Sequence, residues 1–190
     1  MRKVIGAINM TLDGYCDHTA GIIADEELHE HYAKLIDDAG LLLYGRITYG
    51  LMQFWQTLLT KPAEEQSLND FAISIDRTEK LVFSHTLKDT GWSSATLADG
   101  PLIETVKQLK QQPGKDILVG SRSLIIQLLQ TGVMDEFQLC IHPVIEGKGL
   151  PLFEQINDRT SLKLVKTKSL RTGAIVCYYE PGQASTGKTA

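Results

Sequence analysis

Two stretches, Leu43-Tyr44-Gly45-Arg46-Ile47-Thr48 and Val119-Gly120-Ser121-Arg122-Ser123, decide how this chain folds. In each, a short apolar run ends in glycine and a helical pattern begins within a residue or two. Leu41-Leu42-Leu43-Tyr44 and Ile117-Leu118-Val119 read as strands covered on both faces. Behind the turns, Leu51, Met52 and Trp55, then Leu124, Ile125, Leu128 and Leu129, recur at helical spacing. A strand that enters a helix through glycine leaves free helix amides at the carboxyl end of the sheet, where open α/β sheets bind ligands. Each turn also sets an arginine against the helix dipole, at a cost of roughly 0.3–1 kcal/mol. A phosphate held between arginine and amides accounts for that arrangement. The same residues also fit an ordinary turn with an exposed arginine.

Working outward, Val4 to Asn9 is a buried strand, followed by a loop with an Asp13-Gly14 turn. Asp25 suits the N-cap of a helix carrying Leu28, Tyr32, Leu35, Ile36 and Ala39, with Gly40 as its stop. Residues 61–77 are polar and predict a short helix within a long connection. Lys80 to Ser84 and residues 93–97 are further strands, and Pro101 opens a helix with Leu102, Val106 and Leu109. After Gly132 the pattern changes to a long strand over residues 136–144. A hairpin follows, residues 162–170 and 174–180 around Arg171-Thr172-Gly173. The expected architecture is α/β: a central, mostly parallel sheet with helices on both faces and a C-terminal antiparallel hairpin. Residues 1–180 are expected to form a single domain, and 181–190 a flexible tail. The strand over 174–180 is a candidate for pairing across a dimer.

The 190 residues carry a formal net charge of −4, so the overall field does not favour nucleic acid or an anionic membrane. Any phosphate site must come from local charge and oriented amides. Cys16, Cys140 and Cys177 are widely spaced and read as reduced thiols. No leader and no run near the roughly 20 apolar residues of a membrane span is visible, so a cytoplasmic location is expected. Gly182 to Thr189 matches the letters of a phosphate loop but lacks the following helix that would orient its amides. His29 and His31 sit two apart on one helix and point to different faces, so no metal site is expected. The strand Leu81-Val82-Phe83 ends in Ser84-His85-Thr86, a group able to hydrogen-bond an adenosine ribose or its 2′-phosphate. No acidic residue is placed to hold a ribose 2′-hydroxyl, which favours NADP over NAD.

Several segments now stand in order: Asn9-Met10-Thr11-Leu12-Asp13-Gly14, the turn at Gly45, Leu81 to Leu87, Val119-Gly120-Ser121, Gly132 to Glu136, and His142-Pro143-Val144-Ile145-Glu146-Gly147-Lys148-Gly149-Leu150-Pro151-Leu152-Phe153. Together they resemble the dihydrofolate reductase-like superfamily, in the branch of the riboflavin-biosynthesis reductase domain, over Val4 to about Glu180. The resemblance implies a three-layer fold, NADPH as cofactor, and hydride transfer to a small pterin-like or pyrimidine-like substrate, commonly in a homodimer. By motif match, Gly45, Arg46 and Thr48 would meet cofactor phosphates at one helix start, and Gly120, Ser121, Arg122 and Ser123 would wrap the pyrophosphate at the other. Ser84 and His85 would lie by the adenosine, and Ala7, Asn9, Asp13 and Gly14 near the nicotinamide. Dihydrofolate reductases carry a second glycine where Ser121 stands. They also carry a substrate-binding carboxylate on the first helix, for which Asp25, Glu26, Glu27 and Glu30 all stand nearby. For catalysis the candidates are Asp13 or His29 as the titratable group, with Tyr15, Phe54 and Trp55 as walls for a flat substrate. A non-catalytic nucleotide-binding module on the same fold is the competing expectation.

Overall fold

In the computed structural model, residues 1–18, 22–156 and 158–182 are described. Strand β1 (Val4–Thr11) leads through a loop to α1 (Glu26–Asp38), which enters β2 (Ala39–Gly45) directly. Then come α2 (Arg46–Met52), a 3-10 turn (Gln53–Trp55), α3 (Gln56–Thr60), α4 (Gln66–Arg77), β3 (Lys80–Phe83) and β4 (Ala95–Leu97). The second half runs α5 (Leu102–Gln111), β5 (Asp116–Val119), α6 (Arg122–Gln130), β6 (Glu136–His142), β7 (Leu162–Ser169) and β8 (Ile175–Pro181). One eight-stranded sheet results, in the order β4-β3-β2-β5-β1-β6-β8-β7. From β4 to β6 every pairing is parallel, and the β8 and β7 pairings are antiparallel.

Alternation along the strands divides the core between two faces. Leu41 and Leu43 of β2, with Ile117 and Val119 of β5, pack with Leu102 and Val106 of α5 and Leu124, Ile125, Leu128 and Leu129 of α6. Leu42 and Tyr44, with Leu118, pack on the other face against Ala33 and Ile36 of α1 and Phe71 and Ile75 of α4. Helices therefore cover both sides, in three layers. Asp25 caps α1 as expected, its Oδ1 accepting from the Leu28 amide at 3.0 Å.

Four expectations change. Gly40 is the second residue of β2 rather than a helix stop, because α1 ends at Asp38 without a loop. The helix behind Gly45 breaks at the 3-10 turn, and the polar connection holds a full helix, α4, whose Phe71 and Ile75 join the core. The strand considered for dimer pairing, β8, lies between β6 and β7, so both its edges are taken; β7 is the edge strand on that side, as β4 is on the other. The proposed tail lies outside the described residues beyond Gly182, as does the phosphate-loop lookalike apart from its first glycine. Among the described residues no helix is long and apolar enough to cross a membrane.

At the end of the sheet where β3 begins, Lys80 is 1% exposed. Its Nζ donates to the carbonyls of Thr78 (2.6 Å) and Asp76 (3.2 Å) and to the Ser94 hydroxyl (2.7 Å), over the Trp92 ring. Burial lowers its ammonium pKa to about 8, only partly countered by Asp76.

Candidate active site

The carboxyl ends of the parallel strands share one edge of the sheet. There the chain leaves β2 toward the α1/α4 face and leaves the neighbouring β5 toward the α5/α6 face. That divergence opens a crevice between adjacent strands, the position at which open α/β sheets take ligands. A groove of about 720 Å³ lies there, a volume typical of small-molecule sites. Gly45, Arg46 and Thr48 form one wall, Ser84 and His85 the end, and Ser123, Leu124 and Gln127 the base of α6. Asp99, Gly100 and Pro101, at the start of α5, close the remaining side.

The polar groups of this groove are free to act on a ligand. Arg46 is exposed at the start of α2 and makes no ion pair among the described residues. Ser123 is exposed. Ser84 accepts from the amides of Thr86 (3.2 Å) and Leu87 (2.9 Å), which orients its hydroxyl while leaving the proton to donate. Beneath the groove the Gly45 amide donates to Ser121 Oγ at 2.8 Å, and Ser121 is only 2% exposed. Gly120 passes so close to Tyr44 that a Cβ there would meet the ring at 2.9 Å.

Beside the crevice, the loop after β1 is zipped to the loop after β6. Asp13 accepts from the amides of Glu146 (3.1 Å) and Gly147 (2.7 Å) and from the Thr11 hydroxyl (2.7 Å). Partial desolvation works against its charge, but the Gly147 amide, the Thr11 hydroxyl and the Glu146 amide outweigh it and hold the carboxyl below its ordinary value. Gly14, at φ +97°, makes the turn, and its carbonyl accepts from the Leu152 amide. Arg122 completes the unit, with Nε donating to the carbonyls of Pro151 (2.7 Å) and Leu152 (3.2 Å).

On the α1 face, the ends of β1 and β6 carry a polar cluster. Asn9 Oδ1 accepts from the Tyr32 hydroxyl at 3.0 Å and lies 3.0 Å from His142 Nε2. His142 is fully buried, and burial lowers its imidazole pKa against the opposing pull of Asp25. Burial likewise raises the Tyr32 phenol well above its usual range and pushes the Cys140 thiol up to about 12. Across α1, His29 packs edge-on to Trp55 and near Phe71, with Nδ1 3.6 Å from Glu65.

The chain matches the family model of the RibD C-terminal domain over residues 2–176. It belongs to that family. YyaP of Bacillus subtilis (strain 168), an uncharacterized protein, is 31% identical to this chain over 183 residues, covering 94% of each. A pyrimidine reductase-like protein of Corynebacterium diphtheriae superposes with a TM-score of 0.65 at 16% identity, over 96% of this chain and 92% of its own. Dihydrofolate reductase of Enterococcus faecalis superposes with a TM-score of 0.58 at 10% identity, over 95% of this chain and 97% of its own. The fold is dihydrofolate reductase-like.

Within this RibD-type domain, the residues named from sequence divide into groups. The structure brings Gly45, Arg46, Thr48, Ser84, His85 and Ser123 to one groove. Gly120 and Ser121 lie beneath it and join its walls. Arg122, expected at the pyrophosphate, is not among the residues lining the groove, and its Nε donates to the carbonyls of Pro151 and Leu152. Asp13 and Gly14 sit in the zipped loop, and Ala7 is buried within β1. Phe54 and Trp55 meet edge to face at 5.6 Å with His29 beside them, whereas Tyr15 belongs to the loop pair and bridges to Pro151. Sequence reasoning missed two features. Asp99 stands in the groove wall, an acidic side chain that the sequence reading did not assign to the site. His142, quoted within the family motif, was given no role although it anchors the buried cluster.

Proposed function

We propose that this protein is an NADPH-dependent reductase that transfers a hydride to a small pterin-like or pyrimidine-like substrate. The observation that carries the proposal is the groove at the β2/β5 divergence, where an exposed arginine with no ion pair among the described residues, the Ser84 and Ser123 hydroxyls and helix starts converge. That donor set fits a dinucleotide phosphate: helix amides and Arg46 supply positive potential, and Ser84, His85 and Ser123 supply hydrogen bonds. The cofactor, when bound, supplies the hydride. The chain's own residues orient it, and the zipped loops beside the crevice exclude water from its reacting end. Asp13 spends both carboxylate oxygens on that zipper, so its role is to hold the loop. The relatives support the reading in kind, one being described as pyrimidine reductase-like and another as a dihydrofolate reductase complexed with NADP(H).

The test is oxidation of NADPH, followed by its absorbance, across a panel of pterins, pyrimidinones and quinones. Turnover of any member establishes the reductase. Saturable NADPH binding without oxidation of any member supports the non-catalytic module, a reading favoured by the engagement of Asp13 in the loop. We also propose that the protein is cytoplasmic and that it forms a homodimer, the latter because β7, one of the two edge strands of the sheet, exposes Leu164 and Val165. Light scattering on the purified protein measures its mass directly.

A further inference from the structure

We propose that Asn9 is a donor-only recognition group at the reacting end of the site, held in that state by Tyr32 and His142, and that it binds an acceptor oxygen of a carboxamide or lactam. The inference rests on the reductase reading and adds to it the chemistry that Asn9 selects.

The atoms of Asn9 that are already engaged decide what it can bind. His142 is fully buried, and its Nδ1 has no hydrogen-bond partner among the described residues. A neutral imidazole carries one proton, on either nitrogen. Nδ1 is unpaired in either tautomer. A proton on Nδ1 would require Asn9 to turn its N–H groups toward both Nε2 and the Tyr32 hydroxyl, leaving that hydroxyl's own proton without an acceptor among the described residues. With the proton on Nε2, both the imidazole and the hydroxyl donate to Asn9 Oδ1 at 3.0 Å. The proton therefore resides on Nε2, and the Asn9 atom facing it is the carboxamide oxygen. Tyr32 donates to the same oxygen at 3.0 Å, which fills both of its lone pairs.

With the oxygen occupied on both sides, the carboxamide cannot flip. Its Nδ2 has no protein partner among the described residues and is not among the buried unsatisfied atoms, while Asn9 itself is half-buried. What Asn9 offers outward is two N–H donors and no acceptor. Such a group binds a carbonyl oxygen and rejects a ring N–H at the same place. Asn9 stands near the carboxyl end of β1, the strand beside β5, on the face covered by α1. Two carbonyls of this chemistry belong to a reductase of the proposed kind: the carboxamide of the nicotinamide, and a ring carbonyl of the substrate.

Binding by the Asn9→Leu, His142→Leu and His142→Gln proteins, each confirmed folded by thermal melting, separates the sources. The probes are NADPH, 2′-phospho-ADP-ribose, which lacks the nicotinamide, and uracil added to the NADP-saturated protein. If Asn9 holds the nicotinamide, Asn9→Leu weakens NADPH by about five- to tenfold and leaves 2′-phospho-ADP-ribose unchanged. If it holds a substrate carbonyl, uracil binding falls by a similar factor and both nucleotides are unaffected. In either case His142→Leu reproduces the loss, and His142→Gln, whose amide can still donate to Asn9, restores most of the affinity. Unchanged affinities of Asn9→Leu for all three probes overturn the inference, as does an equal loss in His142→Gln and His142→Leu. Absence of NADPH binding by the unmodified protein overturns the reductase reading, and this inference with it.

Discussion

The Gly45 amide donates to the Ser121 hydroxyl at 2.8 Å, across the gap between the ends of β2 and β5. Gly45 opens α2 on one side of the crevice, and Ser121 is the N-cap position of α6 on the other. The bond fixes the separation of two helix starts that must address the same ligand. It also explains a serine at this turn, since a hydroxyl reaches across where a glycine would not. Ser121→Ala leaves the half-buried Gly45 amide without its acceptor and should cost about 1 kcal/mol in denaturant unfolding. Gly120→Ala drives a methyl against the Tyr44 ring and should cost about 1–3 kcal/mol as well. Wild-type stability in either variant would show that the two turns are not coupled.

Arg46 is exposed and makes no ion pair among the described residues, so its removal should leave folding unchanged within about 0.5 kcal/mol. If it holds a phosphate, Arg46→Gln should weaken NADPH binding by about tenfold or more, the scale of a hydrogen bond to a charged group. The loss should shrink as salt rises, because exposed charges are screened. Titrations of both proteins at low and high salt measure the effect. Asp99→Asn, which removes a negative charge from the opposite wall, should act in the other direction on the same readout.

How much of this was legible in the chain depends on how far each signal reaches. Gly45, Gly120 and the Asp25 cap announce themselves because turn and cap chemistry is local. The continuous apolar run of Leu41 to Tyr44 shows a strand covered on both faces for the same reason. Contacts that join distant segments left no such mark. Nothing beside Arg122 indicates that carbonyls near residue 151 will claim its guanidinium, and nothing beside Asp13 indicates the amides of Glu146 and Gly147. His142 followed by Pro143 reads simply as a strand end, and its partner Asn9 is 133 positions away. Strand order is equally non-local, so β8 looked like a terminal edge when β7 folds outside it.

Asp13 gives a pH-dependent test of the zipped loop. Its folded-state pKa is depressed, so its contribution is fully present above the unfolded value near 3.8 and is lost as pH falls through the lower folded value. Asp13→Asn should speed amide hydrogen exchange over residues 144–150 at neutral pH. The difference between the two proteins should disappear in strong acid. Equal exchange at neutral pH would mean that the carboxylate does not hold the loop.

Lys80 carries a dependence at the other end of the scale. Its folded pKa of about 8 lies below the unfolded value near 10.5, so the unfolded chain holds the proton more tightly between them. The stability contributed by Lys80 should therefore grow as pH rises from 8 toward 10.5 and be lost as pH falls through 8. Urea unfolding of wild type and Lys80→Met at pH about 7 and about 10 checks the sign. The wild type should gain relative to the variant at the higher pH, and parallel curves would contradict the burial of a titrating ammonium.

The central claim is that the groove between Gly45 and Ser123 receives a reduced dinucleotide bearing a 2′-phosphate. Its most direct test is a fluorescence titration of the unmodified protein with NADPH and, in parallel, NADH. The account predicts saturable binding of NADPH, tighter than NADH and competed by 2′-phospho-ADP-ribose. No saturable signal with NADPH at millimolar concentration would contradict it.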